Sequence, residues 1–329
     1  MGLSGLAVLK VHIASAQGTP VTDMPDGVQP DGSWSFTDDR GVAIALPEVP
    51  ATIVAQTTAA ASLYDFGVQI AGIYGPSKTA DGEPDFQAGN LPLDSIAILG
   101  DWGAEALELD IEKLIEVDPD LIVDMLVYED TLWYLSGDSR ELVEQRKIPI
   151  AAINMGQVSL LAIIERMQDL AVALGADLAA PQVADAKALH QAAEDRLKAA
   201  IAAKPDLTVM VMSAGVEQAW IASPRYMNDL MYFQELGLHI VDHDLDDWFK
   251  EISWEEIGNY PADVILQDAR NTSTLQELSS TIPILGTLPA VKAGQTGWWY
   301  AGAPSSYGRL APIMDELSGV IESAEAGIA

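Results

Sequence analysis

Residues 110–123 read DIEKLIEVDPDLIV, and residues 253–266 read SWEEIGNYPADVIL. Aligned without gaps, Glu112 meets Glu255, Leu114 meets Ile257, and Asp120 meets Asp263. Leu121, Ile122 and Val123 then meet Val264, Ile265 and Leu266. In each copy a glutamate is expected to open a short helix, and an aspartate eight residues later precedes a buried apolar strand. The flanks repeat as well. ATIVAQ (51–56) and FGVQIAGI (66–73) precede the first copy, as LTVMVM (207–212) and LGLHIV (236–241) precede the second. KIPIAAI (147–153) follows the first copy and TIPILGTL (281–288) the second. Internal duplication of this kind points to two similar units rather than one enlarged one.

Short β-branched and apolar runs that alternate with helical patterns indicate parallel strands covered on both faces. The expected fold class is therefore α/β: two similar Rossmann-like lobes with central, mostly parallel sheets. Each lobe needs roughly 120–150 residues, an ordinary domain size, and 329 residues supply about two of them. The expected division is a lead-in over residues 1–33, a first lobe over 34–156, a connecting helix over 157–175 and a second lobe over 176–329. Within the first lobe, WSFT, DDRG and VAIAL (34–46) read as a β-hairpin with the charged tetrapeptide in the turn. Residues 157–174 and 179–203 read as two strong helices, and a helix crossing between lobes makes a stiff connection. Lobe closure is then expected to be small.

With 17 basic and 49 acidic side chains, the formal net charge is −32. That argues against nucleic acid or an anionic membrane surface as a direct partner. There is no cysteine, so disulfides, thiolate metal sites and lipidation on cysteine of this chain are excluded. No apolar run reaches the roughly 18–20 residues of a membrane span. Residues 1–17 resemble the tail of an export signal with an Ala-Ser-Ala cleavage pattern, although Lys10 and His12 interrupt the apolar part. The expected location is extracytoplasmic, in a periplasm or at a cell surface.

Taken together, DDRG with its apolar hairpin strand, LYDFGVQIAGIYG, IEKLIEVDPDLIV, ISWEEIGNYPADVIL and the late GWWY resemble one family. It is the cluster of substrate-binding proteins that serve ABC importers of ferric siderophores, cobalamin and haem, and the resemblance runs from Trp34 to Ser323. It implies two lobes joined by one long rigid helix, which residues 157–174 match, with ligand held in the cleft between the lobes. It further implies a glutamate on top of each lobe that docks on the permease, here Glu112 and Glu255. The expected protein is a monomer that captures an iron chelate and delivers it to an ABC permease, with no cofactor of its own. Haem or cobalamin as ligand, and a two-lobed ligand sensor, are the alternatives on the same fold.

Ligands of open α/β sheets sit beyond the carboxyl ends of the strands. That rule selects Tyr74, Trp102, Tyr128 and Trp133 in the first lobe. In the second it selects Trp220, Arg225, Trp248, Arg270, Trp298 and Tyr300. Aromatic walls with a few polar groups suit a bulky, partly apolar ligand. Only Arg225, Arg270 and Arg309 are placed to meet an anionic ferric catecholate, so the expectation leans to a hydroxamate-type siderophore, which is neutral or cationic. Binding an intact chelate needs no protein ligand to iron, and no metal site is expected. An enzyme on a doubly wound fold is the remaining alternative. The sequence holds no G-x-G-x-x-G after a strand, P-loop, G-x-S-x-G or H-E-x-x-H to support it.

Overall fold

The computed structural model describes residues 25–79, 81–100, 109–135, 137–242, 244–271 and 273–329. The expected export-signal remnant lies outside them.

The described residues open with a small antiparallel sheet, β1 (Gly27–Val28), β2 (Trp34–Thr37) and β3 (Ala43–Leu46). The DDRG turn between β2 and β3 locks this sheet to the rest of the first lobe. Asp38, 3% exposed, pairs with Arg40 at 2.7 Å and also accepts the backbone N–H groups of Arg40, Val42 and Ala152. The second aspartate, Asp39, accepts the N–H of Asn154 and the guanidinium of Arg166. A buried charge that is paired and fully hydrogen-bonded in this way carries little penalty.

The first lobe follows: β4 (Ile53–Gln56), α1 (Thr57–Asp65), β5 (Gly72–Tyr74), β6 (Ala97–Gly100), α2 (Ile111–Val117), β7 (Leu121–Tyr128), β8 (Thr131–Leu132), α3 (Gly137–Gln145) and β9 (Ile150–Asn154). Its parallel strands run in the order β6-β5-β4-β7-β9, with the two-residue β8 turned back antiparallel on the end of β7.

Next come α4 (Leu160–Ala173) and α5 (Pro181–Ala203). α4 packs on α1, β1, β2 and β9 on one side and on a second-lobe helix on the other. Its Leu160, Ile163, Ile164, Met167 and Leu170 are all buried, each worth about 1.5–3 kcal/mol of apolar burial. One continuous apolar core runs through this helix, from Ala55, Val123 and Ile153 of the first sheet to Val209, Val211 and Leu266 of the second. The Trp34 indole donates to the Ala173 carbonyl at 2.7 Å and fixes the far end of the helix.

The second lobe consists of β10 (Val209–Ala214), β11 (Gln218–Ala222), α6 (Asn228–Glu235), β12 (Phe249–Ser253), β13 (Val264–Asp268), α7 (Leu275–Leu278), α8 (Pro289–Ala293), β14 (Thr296–Trp299) and α9 (Tyr307–Ser323). Its sheet order is β12-β11-β10-β13-β14. β10, β13 and β14 pair in parallel, whereas β11 runs against both of its neighbours, β10 and β12.

Three expectations from the duplication fail here. LGLHIV contributes one parallel bridge, Val209 to Ile240, rather than a strand. TIPILGTL turns into a 3-10 helix over Leu285–Thr287, and the outer parallel strand is β14. The second glutamate opens no α-helix: Glu255 sits in a turn ahead of a single 3-10 turn, Ile257–Asn259. On the β10 edge the antiparallel β11 and β12 stand where β5 and β6 stand in the first lobe, so LGLHIV is left with a single bridge; on the β13 edge β14 stands where β9 does, so TIPILGTL is left outside the sheet.

Candidate functional site

Between the carboxyl ends of the two sheets lies an open cleft of about 240 Å³. The first lobe contributes Val127 and Tyr128 from the end of β7, Trp133 from just after β8, and Met155 from just after β9. The second contributes Met227 and Asp229 around the start of α6, Trp248 and Phe249 at the start of β12, and Arg270 after β13. Tyr128 and Trp248 meet edge-on across the cleft, ring centroids 6.1 Å apart at 81°. Trp133 stacks on Tyr134 at 5.0 Å. At Gly302 (φ +77°) the second lobe comes close to the first, and a Cβ there would lie 2.8 Å from the Trp133 ring.

The charged groups of the cleft belong to the second lobe. Arg270 donates from Nε and one terminal nitrogen to Asp268, a carboxylate 1% exposed. Burial disfavours the guanidinium charge, but the hydrogen bonds and charge of Asp268 outweigh it and hold the pKa above the usual arginine range. Asp229 accepts the Trp299 indole N–H at 2.6 Å and the N–H of Leu230 at 2.9 Å. Burial pushes its carboxyl up to about 6 against those two donors. Beyond Asp229 a narrow recess of about 20 Å³ continues between the second lobe and α4, lined by Asn228, Tyr300, Gly302 and apolar side chains of α4, α6 and α9. Tyr300 meets Phe86 of the first lobe edge-on at 5.6 Å and donates its hydroxyl to Glu316 at 2.9 Å. Burial first, and then that carboxylate, push its phenol up to about 12.

Of the ten expected ligand-binding residues, Tyr128, Trp133, Trp248 and Arg270 line the cleft and Tyr300 lines the recess behind it. Trp102 lies outside the described residues. Four others point elsewhere. Tyr74 is fully buried in the outer core of the first lobe, where burial and the Asp124 charge keep its phenol protonated. Trp220 stands in the middle of β11 and packs on Gly215, where a Cβ would lie 2.9 Å from its ring. β11 is a strand in its own right, paired antiparallel with β10, so Trp220 lies within a strand rather than beyond the end of one. Arg225 is taken up by Asp242 at 2.9 Å and Asp244 at 3.9 Å. Trp298 lines a separate pocket of about 180 Å³ with Gln267, Leu275 and Glu316.

The strand alternation explains Trp298. Successive side chains of β14 point to opposite faces, and it is Trp299, 2% exposed, that backs the cleft through Asp229. Met155, Met227, Asp229 and Phe249 were also missed. Met and Asp carried no signal in the sequence, whereas Phe249 beside Trp248 at a strand start offered one.

Glu112 is the second residue of α2 and is exposed; Asp110 caps that helix by accepting the Lys113 N–H at 3.0 Å. Glu255 is also exposed, in the turn described above. Among the described residues, no group of three or more His, Asp or Glu could hold a metal ion, and no helix is long and apolar enough to cross a membrane.

A family model described as periplasmic binding protein matches residues 104–296. The solved structure of DesE, a ferric-siderophore receptor protein from Streptomyces coelicolor, is 37% identical, with a TM-score of 0.82 over 89% of this chain and 100% of that one. The siderophore periplasmic binding protein from the fuscachelin gene cluster of Thermobifida fusca is 20% identical, with a TM-score of 0.58 over 83% of this chain and 96% of that one. FhuD2 from Staphylococcus aureus with bound ferrioxamine B is 17% identical, with a TM-score of 0.56 over 82% and 98%. The last two show a shared fold. No curated protein gave a significant match.

Proposed function

The chain belongs to the periplasmic binding protein family, and from that premise we propose that it captures a ferric siderophore in the inter-lobe cleft and hands it to an ABC importer. Members of the family are substrate-binding proteins rather than enzymes, and they work outside the cytoplasm. The likeness to DesE, a ferric-siderophore receptor, supports an iron chelate as the solute.

The observation that carries the choice of chelate is the charge of the cleft wall. Among the described residues lining it, the one cation is Arg270, and Asp268 already holds it at hydrogen-bonding distance. Asp229 adds a carboxyl at the same wall. A ferric tricatecholate brings several negative charges, and burying them needs more than one paired cation. A ferric trihydroxamate is neutral or cationic and asks only for aromatic and aliphatic walls with a few polar contacts. Tyr128, Trp133, Trp248 and Phe249 supply those walls. The reading is therefore a hydroxamate-type siderophore, bound as the intact chelate with no protein ligand to iron.

Isothermal calorimetry against a ferric trihydroxamate, a ferric tricatecholate, haem and cobalamin tests this directly. The expected result is sub-micromolar binding of the trihydroxamate alone. Tight binding of the tricatecholate, or of haem or cobalamin instead, would overturn it.

Delivery is proposed to run through Glu112 and Glu255. Each is an exposed carboxylate on its own lobe, at equivalent points of the repeat. Two charges on separate rigid lobes report the spacing between the lobes, which ligand in the cleft sets.

A further inference from the structure

The cleft and the recess behind it share Asn228, Asp229 and Gly302 as common wall. They differ in size by an order of magnitude, about 240 Å³ against about 20 Å³. The cleft is aromatic and fits the body of a chelate. The recess has room for about one water-sized group, and every side chain around it except Asn228, Asp229 and Tyr300 is apolar or absent. We propose that the recess receives a protonated amine at the end of the chelate's tail, with Asp229 as its counter-ion. This deepens the iron-chelate reading and rests on it.

Asp229 is suited to that role by its existing bonds. The Trp299 indole and the Leu230 N–H each occupy one lone pair and fix the orientation of the carboxylate. The remaining lone pairs are free to accept from an ammonium group, a charge-assisted bond stronger than a neutral one. The charged and titratable neighbours leave that role to Asp229. Arg270 is held by Asp268, and the Tyr300 phenol stays protonated with its hydroxyl donated to Glu316. The added charge of Asp268 pushes the Asp229 carboxyl up further, and an arriving cation relieves that repulsion. Asn228 can accept a second ammonium proton through its side-chain carbonyl, and the Tyr300 ring offers an aromatic wall.

Two properties follow. A chelate that ends in a free ammonium binds more tightly than the same chelate with that amine acetylated. The preference also depends on ionised Asp229, so it fades as pH falls through about 6.

The test titrates ferrioxamine B, whose chain ends in a free amine, and its N-acetyl derivative, into the wild-type protein and into D229N at pH 7.5 and pH 5. The expected wild-type preference at pH 7.5 is about tenfold or more, the size of one modest charge-assisted interaction. It should shrink to within about twofold in D229N, and in the wild type at pH 5. If the wild type binds both chelates equally well at both pH values, the recess proposal is wrong while the iron-chelate reading stands. If it binds neither, both fall. Should D229N fold poorly, the wild-type comparison of the two chelates across pH decides alone, because it changes no residue.

Discussion

In the first lobe Asp120 accepts the backbone N–H groups of Ala51 and Thr52, joining the start of β7 to the start of β4. In the second lobe its counterpart, Asp263, accepts the N–H and hydroxyl of Thr208 and joins the start of β13 to the start of β10. The repeated aspartate thus does the same architectural work twice, tying together the two central parallel strands of each sheet. Burial pushes the Asp263 carboxyl up, but its donors from Thr208, Ile328 and Ala329 prevail and hold it below the ordinary aspartate value.

Four residues further along, the copies part. Asp124 ends the shared apolar run in β7 and Gln267 ends it in β13, both about fully buried. Asp124 accepts the N–H groups of Met125 and Leu135, whereas Gln267 accepts the N–H of Ala214 through its amide oxygen. The amino end of each strand pair is common ground. The carboxyl end, which borders the cleft, is where the lobes differ: the cleft lining is aromatic and uncharged in the first, and Asp229, Arg270 and its partner Asp268 stand there in the second.

The sharpest break of the comparison is functional. Glu112 stands on a helix and Glu255 in a turn, yet both are proposed to meet the permease. Replacing both by Ala should abolish chelate uptake by cells while leaving affinity for the chelate within about twofold. A large loss of affinity, or uptake that survives, would remove them from the docking role.

The next effect concerns the Asp124–Gln267 pair. Burial pushes the Asp124 carboxyl from its ordinary value of 3.8 up to about 7, outweighing the N–H groups of Leu135 and Met125. Because the folded value is raised, the stability it contributes is complete below about pH 4 and is lost as pH rises through about 7. The shift corresponds to on the order of 4 kcal/mol. Asp124→Asn makes the first lobe resemble the second at this point. Urea unfolding from pH 4 to pH 8 should show the wild type losing stability relative to the variant by roughly that amount across the window. A difference that stays flat with pH would contradict the assignment.

A smaller effect separates the two strand-joining aspartates. Asp263 is 2% exposed and also accepts the N–H groups of Ile328 and Ala329, so Asp263→Ala strands several donors. It should cost on the order of 3 kcal/mol. Asp120 is exposed, and water can replace its carboxylate, so Asp120→Ala should cost about 1 kcal/mol. Equal losses from the two, measured by denaturant midpoint, would show that burial does not set the difference.

The duplication made the two-lobed fold legible, because Glu112/Glu255 and Asp120/Asp263 recur with apolar strands at the same distance. The hairpin around DDRG was legible too, since a turn with two acids and an arginine between apolar runs has few other readings. What the repeat could not carry was the divergence of the second lobe. Nothing in QAWIA announces an antiparallel strand beside β10, and without it Trp220 looked like a strand-end residue. The cleft was half legible for the same kind of reason. Aromatic residues after strand ends led to Tyr128, Trp133 and Trp248. The choice between Trp298 and Trp299 depended on a one-residue register that only pairing with β13 sets.

The most direct test of the whole account is an anomalous-scattering map, at the iron edge, of crystals grown with a ferric trihydroxamate. The expected result is a single iron site in the cleft, between Tyr128 and Trp133 on one side and Trp248 and Arg270 on the other, with no protein atom bonded to the metal. Iron on the acidic surface around Asp242–Asp247, or bonded directly to a side chain, would contradict it.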